Sequence, residues 1–181
     1  METLTTLFLT PPHSIEEALE EADAMRQTLL QTVANTIFLA PPERVWSLEH
    51  NLHHLHLVER SSASVIRRMA EGEKQEQWSE EAVIATWQRM SKVIPNRSTK
   101  IQAPEGLAPQ ETPSKADCLR LLGESRERLH LNCSKTTTDD MLRTAFPHPF
   151  LGALPGLLWI TFIAMHEMRH FKQILELPQQ P

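Results

Sequence analysis

The sequence contains no tyrosine, and its aromatic share is only 6%. A core with so few aromatics must rest on Leu, Ile, Val, Met and Ala, a composition that suits helices better than sheets. Cysteine is nearly absent too. Cys118 and Cys133 stand 15 positions apart, with neither a CxxC pair nor a Cys/His cluster. That argues against a disulfide scaffold and for reduced, inert thiols in a cytoplasmic protein. No block of Lys or Arg appears, and the net charge is −5. A broad nucleic-acid or anionic-membrane surface would need a basic field, so neither partner is expected. The longest apolar stretch, around Leu151 to Met165, is broken by Gly152, Pro155, Gly156 and Thr161 and is too short to span a bilayer. Met1 to Pro12 lacks the basic and long apolar regions of a signal peptide. What is present, 181 residues at 40% hydrophobic and 23% charged, suffices for one domain over 1–181 with a single sizeable core.

Proline punctuates the chain, at Pro11-Pro12, Pro41-Pro42, Pro95 to Pro113, Pro147 to Pro155 and in the tail at 176–181. Proline inside a helix costs about 3 kcal/mol, so helices are expected between these clusters. Ser14 to Phe38 reads as the first, with Ser14 and Glu17 as a capping box and Ile15, Leu19, Ala22, Met25, Leu29, Val33 and Ile37 at helical spacing. Ser47 caps a second that runs to Met69 and stops before Gly72. Residues 73–113 form an insertion, with a short amphipathic helix at Ser79 to Ile94 followed by a polar loop. Further helices are expected from Ser114 to Leu131 and from Leu154 to Leu175. Thr136 to Asp140 offers a cap for a single turn through Leu142, and extended backbone is expected over Ala145 to Phe150. Long helices without strand-like alternation indicate an all-α bundle.

Nine histidines are present, and two groups carry chemistry. His166 and His170 are four apart on the last helix, so both imidazoles can reach one metal ion. Trp159, Phe162, Ile163 and Ile174 lie within about 80° of His166 on the helical wheel, so the pair points into the core. Buried imidazoles need partners, and two stacked on an apolar stripe are harder to satisfy than one. His166 to His170 also spells HExxH, the zincin signature. A zincin needs a third downstream ligand, however, and no His or Cys follows His170. Glu167, about 100° round from His166, is expected to face solvent.

The second group is His50, His53, His54 and His56. Taking Leu48 as zero, the apolar face centres near roughly −10°, with His54 near roughly 240° and His56 near roughly 80°. Either ring can turn inward, while His50 and His53 fall on the polar side. Glu59, near roughly 20°, lies inside the apolar face. Its expected partners are a histidine, the metal itself or Arg169, with a partly exposed carboxylate as the plain alternative.

Trp46-Ser47, Glu49, His54-Leu55 and Glu59 resemble the second-helix motif of DinB/YfiT-like proteins. Phe150-Leu151-Gly152, Leu157, Trp159, Phe162, His166, Arg169, His170 and Gln173-Ile174 are similar to the family's closing motif. The resemblance implies an up-down-down-up four-helix bundle, here with a short helix and loop inserted between the second and third long helices. It also implies one divalent metal, zinc or nickel, on His54, His166 and His170, and so selects His54 over His56, with His53 as the fallback. The 73–113 insertion departs from the family pattern and is expected to cover or reshape the site.

Three neutral imidazoles leave a coordination position open for water or substrate. Together with the resemblance, this gives two competing functions. One is a metal-dependent enzyme, a transferase using a low-molecular-weight thiol or a hydrolase, with no catalytic side chain singled out. The other is a non-catalytic dimeric bundle with a structural or vestigial metal. A homodimer is implied by the resemblance alone.

Overall fold

Six α-helices and a small sheet make up the computed structural model, which describes residues 8–72, 76–98 and 100–180. Parts of the expected N-terminal stretch (residues 1–7), insertion (73–75 and 99) and tail (181) lie outside the described residues. Helix α1 spans Ile15–Asn35, and the Ser14 hydroxyl accepts from the Glu17 N–H at 3.1 Å. The Glu17 carboxylate accepts from the His13 N–H instead of that of Ser14, so only half of the expected capping box forms. The helix ends short of Phe38 because the chain turns extended at Thr36, and Phe38 pairs with Gln179. Helix α2 spans Leu48–Ala70, capped by Ser47. Helix α3, Glu80–Val93, and a single 3-10 turn, Glu105–Leu107, occupy the insertion. Helices α4, Lys115–Cys133, and α5, Thr138–Arg143, precede the last helix α6, Gly156–Leu175.

Side-chain pairings fix the topology. Arg26 meets Glu167 and Phe38 meets Gln179, so α1 and α6 run parallel. Asn51 meets His170 while Met69 sits beside Gly156, so α2 and α6 are antiparallel. Glu59 meets Ser125 and Ala63 meets Asn132, so α2 and α4 are parallel. Val33 meets Lys115 and Asp23 meets Arg126, so α1 and α4 are antiparallel. The four long helices therefore run up, down, down, up, with α3 inserted between the second and third.

The prolines near 150 do more than extend the chain. Strands β1 (Glu76–Gln77), β2 (Thr144–His148) and β3 (Gly152–Pro155) form an antiparallel sheet in that order. Periodicity gave no sign of this sheet, because its strands are too short to alternate visibly. Pro147 lies beyond the reach of β1, which pairs only with Thr144 and Ala145, so on that side its missing N–H leaves no ladder partner unmet. Gly152 opens β3 at φ 76°, a conformation glycine adopts without strain.

The core has two apolar clusters. One gathers Ile15, Val58, Ile66, Met141, Leu157 and Phe162, the other Met25, Leu29, Leu52, Leu122, Phe171 and Ile174. Among the described residues no helix is long and apolar enough to cross a membrane. Cys118 and Cys133 are free and buried, and burial pushes their thiols up to about 11 and about 12.

A candidate metal centre

The antiparallel packing of α2 on α6 brings His54 against His166 and His170. Their ligand-capable nitrogens all lie within 4.8 Å of one another. His54 Nε2 and His166 Nε2 are 3.3 Å apart. Metal–nitrogen bonds of about 2.0–2.1 Å in a tetrahedron give nitrogen–nitrogen edges of about 3.3–3.4 Å. That pair already stands at such an edge, so the donor set fits a divalent cation.

Two of the three tautomers are dictated by neighbours that can only accept. His54 Nδ1 donates to the Leu107 carbonyl at 2.7 Å, leaving Nε2 with a bare lone pair. His170 Nδ1 donates to Asn51 Oδ1 at 3.0 Å. The Asn51 amide cannot be turned the other way, because its Nδ2 donates to the Ser47 carbonyl at 2.9 Å. Partners of this kind orient a ligand imidazole and raise its basicity. Burial holds all three rings below the usual histidine range. Mutual repulsion and the charge of Arg169 push His166 and His170 well below it, so these rings are neutral at neutral pH.

Aromatic rings enclose the cluster. Trp46 stacks on His170, with ring centres 6.0 Å apart, and Phe162 lies 5.4 Å from His166. Above them opens a cavity of about 510 Å³. The insertion forms much of its wall, through Ile94, Arg97, Lys100, Ile101, Pro104 and Leu107. The expectation that this segment covers the site is met, and its Leu107 carbonyl is also the acceptor for His54. From β2, His148 faces the same cavity. It accepts from the Phe150 N–H through Nδ1 at 3.2 Å, so its proton sits on Nε2, and burial pushes its pKa down to about 4.

The other histidines stay outside the cluster. His53 is half-buried and meets the Glu111 carbonyl, and His56 is buried against that of Leu121. His50 joins the Ser47 cap.

Two expectations about acidic residues are overturned. Glu167 does not face solvent. It is 1% exposed and bound to Arg26 at 2.6 Å and Arg126 at 3.2 Å. The wheel angle was right, but a bundle buries more than one face of its last helix, and α1 and α4 cover this one. Glu59 meets neither a histidine nor Arg169. It is bound to Arg26 at 2.9 Å, Arg126 at 2.6 Å and the Ser125 hydroxyl at 2.6 Å. Arg169 instead donates to the carbonyls of Ile94 and Asn96. The HExxH glutamate is thus committed to a buried ion cluster and is not available as a base for the histidine site.

Sequence reasoning passed over Asn51, Leu107 and the two arginines. Asn51 had a usable signal, since it falls about 60° from Leu48 on the wheel, inside the apolar stripe. The Leu107 carbonyl had none, because backbone acceptors in loops leave no mark on residue type.

Comparison with known proteins follows the geometry. A family model described as the DinB superfamily matches residues 35–174. The uncharacterized protein YuaE of Bacillus subtilis (strain 168) is 26% identical over 141 residues, covering 77% of this chain and 82% of that protein. Among solved structures, TT2238, described as a four-helix bundle protein, aligns with a TM-score of 0.58 at 26% identity. That alignment covers 87% of this chain and 95% of TT2238.

Proposed function

The chain belongs to the DinB superfamily, and from that premise we propose that it is a metal-dependent enzyme holding one divalent cation, zinc or nickel, on His54, His166 and His170. The observation that carries the proposal is the convergence of three neutral imidazoles, those of His54 and His170 with their outer nitrogens already engaged. A structural zinc site has four protein ligands and is closed, whereas three ligands beneath an open cavity are the arrangement of a catalytic one. When bound, the cation would supply Lewis acidity, lowering the pKa of a thiol or water.

The chain's own side chains have definable tasks. Leu107 and Asn51 hold the ligand tautomers. Trp46 and Phe162 exclude water from one side of the cluster. His148 holds a proton at Nε2, available for donation to a substrate acceptor. The reaction class that fits is transfer from, or hydrolysis with, a nucleophile activated beside the histidines, with a low-molecular-weight thiol as the candidate co-substrate. Homodimer formation belongs to the same proposal, and light scattering on purified protein checks it.

Elemental analysis of untagged protein is the decisive experiment. One equivalent of metal is expected, falling to background in His166→Ala. Less than stoichiometric metal in the parent protein, with no change in the variant, would overturn the proposal. A chelator that lowers thermal stability without any turnover on thiol substrates would leave the metal but favour a structural role.

A further inference from the structure

The cavity over the histidines is charged in one sense only. Arg44, Arg97, Lys100 and Arg169 line it, and among the described residues no Asp or Glu does. This runs against the molecule as a whole, whose net charge is −5. Neutral histidines do not offset these cations, and a bound divalent metal would add to them.

The cations are differently held. Arg97 donates to Gln173 at 2.9 Å and to Glu176 at 2.6 Å, but the Glu176 side chain is 59% exposed and lies outside the cavity lining. Arg169 is buried, with the carbonyls of Ile94 and Asn96 among its partners. Carbonyls orient a guanidinium without cancelling its charge. Arg44 and Lys100 are exposed on the cavity wall.

The neutral polar groups point the same way. Trp159 lines the cavity, is 5% exposed, and its indole N–H has no partner among the described residues. His148 carries its proton on the nitrogen not used by Phe150. The remaining wall mixes the neutral polar Ser61, Ser62, Gln102 and Gln173 with an apolar part in which Val58, Ile101, Phe150 and Phe162 are prominent. Such a lining offers donors, positive charge and apolar surface, and asks for a ligand with acceptors, negative charge and an apolar body.

We propose that this cavity binds a small organic anion, its apolar body against the aromatic wall and its carboxylate or phosphate held by Arg44, Arg97 and Lys100. Two of these cations, Arg97 and Lys100, come from the segment between α2 and α4, so the charge of the cavity is set largely outside the four long helices. The inference rests on the proposed function only in taking this cavity as the reaction site.

The test is calorimetric titration of the full chain with three probes of similar size: 4-phenylbutyrate, 2-phenylethyl phosphate and uncharged 4-phenylbutanol. Each is run on chelator-treated and on zinc-loaded protein at low salt. At least one anion is expected to bind about tenfold or more tighter than the alcohol, as one or two charge-assisted contacts require. Whichever anion binds better identifies the headgroup. The Arg44→Glu/Lys100→Glu double variant, changed only at exposed positions, should reduce the gap to about threefold or less. Arg128→Glu, on α4, should leave it intact. Equal binding of alcohol and anions, no detectable binding of either anion, or an undiminished gap in the double variant overturns the inference. An anion preference in chelated protein that fails to take up zinc leaves this inference standing and removes the metal centre. Stoichiometric zinc without an anion preference does the reverse.

Discussion

Arg26, Glu59, Arg126 and Glu167 come one from each long helix and close into a cluster at the boundary between the two apolar halves of the core. Burial alone would raise the Glu59 pKa, but Arg26 and Arg126, with the Ser125 hydroxyl, more than reverse this and hold it below the usual carboxylate range. Likewise, burial would lower the Arg26 pKa, and Glu167 and Glu59 raise it instead. The pairs exist because each charge has its opposite, so removing one partner leaves the others uncompensated. Glu59→Gln or Glu167→Gln is expected to cost about 3–5 kcal/mol in denaturant unfolding at neutral pH. Metal stoichiometry should not change in Glu167→Gln, and loss of the metal from a folded variant would show that the buried ion cluster also positions the ligand histidines. Asn51→Leu has the opposite profile. It removes the acceptor that orients His170, so competition with a chromophoric chelator should show metal affinity about 10–100-fold weaker.

At the scale of elements, the insertion decides what kind of site this is. Its 3-10 turn brings the Leu107 carbonyl to His54, and Ile94, Arg97, Ile101, Pro104 and Leu107 help to wall the cavity. It packs on α6 and α2, and of residues 98–110 only the half-buried Leu107 touches the apolar clusters of the core. Replacing residues 98–110 by a short Gly/Ser linker should therefore preserve the far-UV dichroism of the bundle. The same change should weaken metal binding by about tenfold or more, since His54 loses its acceptor. An unchanged metal affinity would show that water replaces Leu107 at no cost. Helix α6 illustrates how one element serves two sites. His166 turns toward α2 and the cavity, and Glu167 turns toward α1 and α4, because consecutive residues on a helix point about 100° apart.

For the molecule as a whole, buried neutral histidines link stability to pH. His148 has a folded pKa of about 4, below its ordinary value because burial penalises the imidazolium. As pH falls, the unfolded chain takes up this proton near pH 6.5 while the folded chain does not. The stability His148 contributes is thus fully present above about 6.5 and is lost as pH falls from there toward 4. Thermal unfolding of metal-free protein should show a falling midpoint across this window, and His148→Phe should make the fall shallower. An identical slope in parent and variant would show that His148 titrates normally in the fold.

The helices, their order and the His166/His170 pair were legible in the sequence, because helical periodicity and proline placement are local properties. The wheel narrowed the third histidine to His54 or His56, and only the packing of α2 on α6 brought His54 into the cluster. The partners of Glu59 and Glu167 could not be read, since they lie 33 to 141 residues distant along the chain, where no local pattern reaches. The small sheet escaped notice because strands of two to five residues show no period. Sequence alone thus determined an all-α chain with a candidate pair of metal ligands. Tertiary structure brought His54, which the family resemblance selects, up to that pair, and decided what holds the rings of His54 and His170 and that the cavity above them is cationic, because all of these depend on contacts between elements remote in sequence.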